Sequence, residues 1–221
     1  MSQIRIKEAT TDQLKPMLVN CLRDLLEKER SSSPGNDQTG ERQHEDGDAY
    51  YLVGSFGNIE PVVRRLTLIE KKPIFVLACS CDDSFAEDRK ASSTEDLYKR
   101  ARGVFGAFDV AAITIVRGGQ SQKFSMDDLK SVETEVIEIV FPEDNVYKDK
   151  YLVRGGKTYL VGCARVGYFD LEPGEYRIII EAHHPAKEQL DITEFNVDVS
   201  YVVNVIHKVV QTKTPTQQIS R

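Results

Sequence analysis

The residues in this chain best suited to chemistry are Cys79-Ser80-Cys81-Asp82-Asp83, which close the apolar run Ile74 to Ala78. On a strand, side chains alternate, so Cys79 and Cys81 share a face. Two thiolates that close can hold a soft metal or act in redox exchange. A zinc site, however, asks for about four ligands in spaced pairs. Cys21 and Cys163 stand alone, and no spacing draws His183 or His184 towards the pair. The expectation is therefore four reduced thiols, with Cys21 on a helix and Cys163 in a strand serving as small buried hydrophobes.

The acids Asp82, Asp83, Glu87 and Asp88 gather at the end of the same run. Carboxylates on a loop at a strand end are the hard oxygen ligands that calcium takes, and these four are the candidate metal ligands. The EF-hand spacing is absent. Gly54-Ser55-Phe56-Gly57-Asn58 also follows a strand and would cradle a phosphate if a helix began directly after it. It matches neither G-x-G-x-x-G nor the Walker pattern, so a glycine loop or bulge is the plainer reading. Arg117-Gly118-Gly119 and Arg154-Gly155-Gly156 read as hairpin turns with an arginine on the rim.

Nucleophilic catalysis has little to work with. There is no G-x-S-x-G elbow and no H-E-x-x-H. His183 and His184 follow a strand, and adjacent residues on an extended chain point opposite ways, which makes them a poor chelate. His44 falls in a polar stretch and His207 at or beyond the last strand.

The elements that must position these residues begin with a helix, roughly 12–30. Leu14, Met17, Leu18, Cys21, Leu22, Leu25 and Leu26 recur at the spacing of one helical face. Thr10 and Gln13 have capping-box spacing, while Pro16 is best tolerated in a first turn. Residues 31–48, SSSPGNDQTGERQHEDGD, contain no apolar side chain and read as a flexible linker. The helix, spanning a segment 1–30, is then a tethered stripe. It either docks on the remainder or contacts a partner through Leu14, Met17, Leu18, Leu22, Leu25 and Leu26.

From Ala49 to about residue 210 the chain is a succession of short runs rich in Val, Ile, Tyr and Phe: AYYLVGSF, RRLTLI, IFVLACS, VAAITIV, VIEIVF, YLVR, TYLVGCARV, EYRIIIEA and FNVDVSYVVNVIHKVV. Such runs, separated by turn residues, predict a mainly β domain, an antiparallel β-sandwich. GYFDLEPGEYRIIIEA, two strands around a Pro-Gly turn, resembles hairpins of many sandwich modules, including the β-sandwich domain of calpain-like proteins; no function is carried over from so short a stretch. An alternative is an α/β unit over 50–118, because Ile59, Val62, Val63, Leu66 and Ile69 also fit one helical face, as do Leu97, Ala101 and Val104 or Phe105. Ser93 or Thr94 is placed to cap a short helix over the latter. Residues 211–221 form a polar tail.

Composition bounds the function. In 221 residues, 29 Lys and Arg face 35 Asp and Glu, a formal charge of -6, the reverse of the basic balance that nucleic-acid binding requires. No apolar run approaches the roughly 20 residues of a membrane-crossing helix. The polar start MSQIRIKEATTDQLKP does not read as a secretory signal, and the cysteine usage fits the cytoplasm. The expectation is a non-catalytic binding or assembly protein without a cofactor, its helix meeting another protein or a second copy. The alternatives are a nucleotide- or phosphate-binding α/β enzyme using Gly54–Asn58 with Asp82 and Asp83, and a calcium-dependent adaptor.

Overall fold

A computed structural model of the chain describes residues 4–47, 49–56, 60–70, 72–187 and 193–207. Strands dominate, at 46%. In chain order the elements are β1 (Arg5–Ile6), α1 (Thr11–Leu26), β2 (His44–Asp46), β3 (Ala49–Val53), β4 (Val62–Ile69), β5 (Ile74–Ser84), α2 (Thr94–Phe105) and β6 (Val110–Arg117). There follow β7 (Gln120–Phe124), β8 (Lys130–Glu133), β9 (Ile137–Phe141), α3 (Lys148–Tyr151), β10 (Gly156–Asp170), β11 (Gly174–His184) and β12 (Phe195–Ile206).

The strands form two sheets. One has the order β1-β10-β5-β3-β2, with β9, β8 and β1 sharing successive stretches of one edge of β10; the other has the order β4-β12-β11-β6-β7. Most pairings are antiparallel, but β3 lies parallel to β5 and β4 parallel to β12. The inner faces meet in a core that includes Leu52, Ile74, Val76 and Phe169 from one sheet and Ile113, Ile178, Val199 and Tyr201 from the other. The sandwich expected from the sequence is thus the architecture. Val62–Ile69, which also fits a helical face, is a strand: Val62, Arg64 and Leu68 point inwards while Val63, Arg65, Thr67 and Ile69 are exposed. The second helix of the α/β alternative does exist as α2, with Ser93 capping it in a reciprocal box with Asp96.

Three expectations about connections change. Tyr151–Arg154 is not a strand; Tyr151 ends α3, and Gly155 and Gly156 lead into β10 instead of turning a hairpin. GYFDLEPGEYRIIIEA is not a hairpin either, since β10 and β11 belong to different sheets and the Pro-Gly turn carries the chain across the sandwich. Gly118 and Gly119 do close a tight hairpin, β6 to β7, with φ of 56° and 78° that glycine adopts without strain.

Helix α1 begins at Thr10, where the capping box with Gln13 is complete, so Pro16 falls in the second turn and not the first. Its stripe is not a portable contact. Leu14, Leu18, Cys21, Leu22, Leu25 and Leu26 are buried on the outer face of the first sheet, against Phe75, Leu77, Ile139, Leu160 and Ala164, and Met17 packs at the margin. The physical reason lies in β5 and β10, which carry apolar residues on both faces and need covering on both. Gly162 makes the close approach possible, because a Cβ there would stand 2.5 Å from Leu22 Cδ1. Helix α2 covers the other face beyond the end of the second sheet, setting Leu97 and Ala101 on Val161 and Cys163.

Residues 31–47 are likewise not a flexible linker. A polar segment can order without apolar burial when its own groups satisfy one another. Asp37 accepts from the backbone amides of Thr39, Gly40 and Arg42 at 2.8–3.0 Å and from the Gln43 amide at 3.2 Å. Burial opposes its ionisation, but these four donors prevail and hold it well below the usual carboxylate range. Arg64, wholly buried, then donates to the carbonyls of Asp37 and Val53, both at 2.7 Å, and pins the segment to the sandwich. The polar tail 211–221 lies outside the described residues.

Candidate functional site

Strand β5 outlasts its neighbour. β3 pairs with it only over Ile74–Leu77, while β10 accompanies it to Ser84. At Ala78 the register with β10 shifts, so that Ala78 and Cys79 both face the sandwich core. From there on, β5 has a strand neighbour on one side alone, and a chamber of about 220 Å³ opens along its other edge. On the α1 side it is lined by Leu22, Leu25, Leu26, Phe56, Tyr147 and Tyr151; on the α2 side, by Arg100, Val104, Phe108, His184 and Phe195.

The bulge decides what the acids do. Asp82 stands opposite Gly162 and Asp83 opposite Val161, on alternate faces of β5. Asp82 receives the Tyr147 hydroxyl on both oxygens at 3.0 Å. Glu87, on the turn after β5, accepts from Ser84 Oγ at 2.8 Å. Asp83, 3% exposed, has Arg100 Nη1 3.9 Å from Oδ1, the same group lying 3.6 Å from Asp88 Oδ2. Asp83 Oδ2 is buried with no hydrogen-bond partner among the described residues. Burial raises Asp82 to about 6, with Tyr147 pulling the other way, and raises Asp83 to about 7 despite Arg100. Glu87 rises well above its usual range, first by burial and then through Asp82. The end of the chamber carries three carboxyl groups short of positive charge.

This arrangement corrects the calcium expectation. Asp82, Asp83, Glu87 and Asp88 are neighbours, but they diverge across two faces of the strand, and Arg100 stands between Asp83 and Asp88. Among the described residues, no three or more His, Cys, Asp and Glu side chains are placed to hold one metal ion. Cys79 and Cys81 do share a face, with Cys81 directly opposite Cys163. Burial raises all these thiols, Cys79 and Cys163 to about 12, so they are protonated and inert at neutral pH.

Gly54, Ser55 and Phe56 reach the same chamber as Asp82 and Asp83, as the nucleotide alternative required. Gly57 and Asn58 lie outside the described residues, and the next described element is strand β4, not a helix whose N-terminus would meet a phosphate. His183 and His184 point opposite ways. His183 sits between Asp109 at 2.6 Å and Glu194 at 3.4 Å, which favours its charged form. His184 is buried at the chamber, stacked on Phe195, and burial favours its neutral form.

Sequence reasoning missed Arg100, Tyr147 and Tyr151. The i, i+4 spacing of the two tyrosines in VYKDKY was a usable signal: one helical turn brings their rings to 5.5 Å. Nothing local marks Arg100, whose role depends on α2 packing across β5. Comparison with protein-family models, with curated proteins and with solved structures gives no match for this chain.

Proposed function

We propose that this protein is a non-catalytic small-molecule binding protein whose ligand occupies the chamber at the open edge of β5. The class is the binding protein expected from the sequence; the seat is not the helix stripe, which is consumed in the core. The chamber carries the reading. It combines apolar and aromatic walls with a few polar groups gathered at one end, the usual make-up of a small-molecule site. The thiols there are protonated, His184 is turned towards the Pro185 carbonyl at 3.3 Å, and the carboxyls face tyrosine, serine and arginine. Phosphate chemistry is disfavoured by the same carboxyl groups, which would repel it.

The test is a ligand-detected NMR screen of a fragment library on the wild type and on Ser80→Trp, which fills the chamber from β5. Val104→Trp fills it from α2 and serves if the first variant melts early. Fragments that bind the wild type and are lost on a folded, filled variant support the proposal. Hits unaffected by either variant overturn it.

A further inference from the structure

Resting on that reading, we infer that the ligand is a short apolar peptide that lies extended in the chamber and pairs with the open edge of β5 at Ser80. The direction of the backbone groups carries this. The Phe85 amide donates to the Tyr159 carbonyl at 3.3 Å, just past the last paired residues of β5 and β10. Gly162, opposite Asp82, bonds instead across the other edge of β10. Its carbonyl accepts the Thr134 amide at 2.8 Å, and its own amide donates to Thr134 Oγ1 at 2.9 Å. Along this stretch β10 therefore bonds Cys79, Cys81 and Asp83, and the alternate residues of β5 turn away from it. The N–H and C=O of Ser80 point into the strip where β3 would have continued. Among the described residues no strand pairs with them and no side chain bonds either. A donor and an acceptor on one residue, at a strand edge that lines a chamber, are what an extended peptide takes up.

The strip is open because β3 is drawn away from it. Successive carbonyls of a strand point to opposite edges, yet Arg64 Nη1 takes those of Val53 and Gly54 together, at 2.7 and 3.2 Å. The alternation that would keep the chain on β5 ends there, and Val53 with Leu77 is the last pair. Arg64 is wholly buried, so the open strip is built into the interior of the fold. Its two walls set the side chains. Alternate residues of an extended peptide face opposite ways. One set meets Leu22, Leu25 and Tyr147 on the α1 side, the other Val104, Phe108 and Phe195 on the α2 side. A strand covered on both faces is apolar on both. The chamber, about 220 Å³, limits the peptide to a few residues.

The experiment titrates the full chain by calorimetry with acetyl-Phe-Val-dimethylamide and with the same peptide methylated on both residue nitrogens, which keeps the side chains and removes every N–H. The expected result is that the first peptide binds and the second binds about tenfold more weakly or worse. Ser80→Pro deletes the edge donor and spares the ladder to β10, a position where a strand accepts proline; it should weaken the first peptide about tenfold. If that variant melts early, the methylated pair decides alone. Equal binding of the two peptides, both lost on Ser80→Trp, overturns the backbone pairing while leaving the chamber reading intact. Failure of the first peptide to bind at millimolar concentration, or binding unchanged in a folded Ser80→Pro, also overturns the pairing. Binding of both peptides to Ser80→Trp and Val104→Trp as to the wild type overturns both readings.

Discussion

Arg64 Nη1 lies 2.5 Å from the hydroxyl oxygen of Tyr201, in the interior where the second sheet meets the segment 31–47. The same guanidinium reaches the carbonyls of Asp37, Val53 and Gly54, and the same hydroxyl lies 2.8 Å from the Gln43 side-chain oxygen. One strand arginine thus fastens a segment that has no apolar side chain of its own. Arg64→Met should remove about 3 kcal/mol or more of stability in urea unfolding, because several buried carbonyls lose their donor together. Tyr201→Phe should lose about 1–3 kcal/mol. Limited proteolysis should then cut Arg64→Met within 31–47, a segment the wild type protects.

Helix α1 belongs to the core, and its removal should be felt as loss of fold, not loss of a partner. Leu18→Ala should cost about 2–5 kcal/mol, the range for a buried leucine. Gly162→Val, which drives a side chain into Leu22, should destabilise comparably. A chain beginning at Ala49 should aggregate in size-exclusion chromatography with light scattering, since Phe75, Leu77 and Ile139 would face water.

The chamber acids make stability fall with pH. Unfolded aspartates lose their protons near pH 4, whereas Asp82 and Asp83 in the folded chain hold theirs to about 6 and about 7. Between those limits the folded state binds more protons, so stability declines from about pH 4 to about pH 7, and Glu87, raised in the same direction, carries the decline further. Asp82→Asn removes its own share. It should melt close to the wild type near pH 4 and several degrees higher near pH 8, a gain of roughly 2–3 kcal/mol. Equal melting differences at both values would contradict the assignment.

The four thiols should resist modification. With burial holding Cys21, Cys79, Cys81 and Cys163 protonated, iodoacetamide near pH 8 should leave the native chain unlabelled and modify all four cysteines in denaturing urea. Intact-mass spectrometry distinguishes the two outcomes, and rapid native labelling of Cys81 would show that the edge of β5 opens.

Much of this architecture was written locally. The period of α1, its capping box, the alternation of β11 and β12, the Ser93 cap and the paired glycines of the β6–β7 hairpin are set by neighbours within a few residues, so they could be read without a fold. The polar run 31–48 misled because composition records the absence of burial but not the presence of Asp37 and its amide donors, or of an arginine waiting on another strand. The Pro-Gly turn at Pro173 was visible as a turn, yet whether it folds a strand back or sends it across to another sheet depends on which edges are already occupied.

The candidate site shows the same division. That two cysteines share a strand face and that acids gather at the strand end could be read locally, because both follow from covalent order and a two-residue period. The bulge at Ala78 that resets that period, and the early end of β3 that leaves an open edge, arise from the pairing of distant strands. Only there do Tyr147 and Arg100 arrive from about 65 and 17 residues further along to partner Asp82 and Asp83. Those are long-range packing outcomes: each depends on which surfaces are left uncovered once the sheets have paired, and no local pattern carries that information.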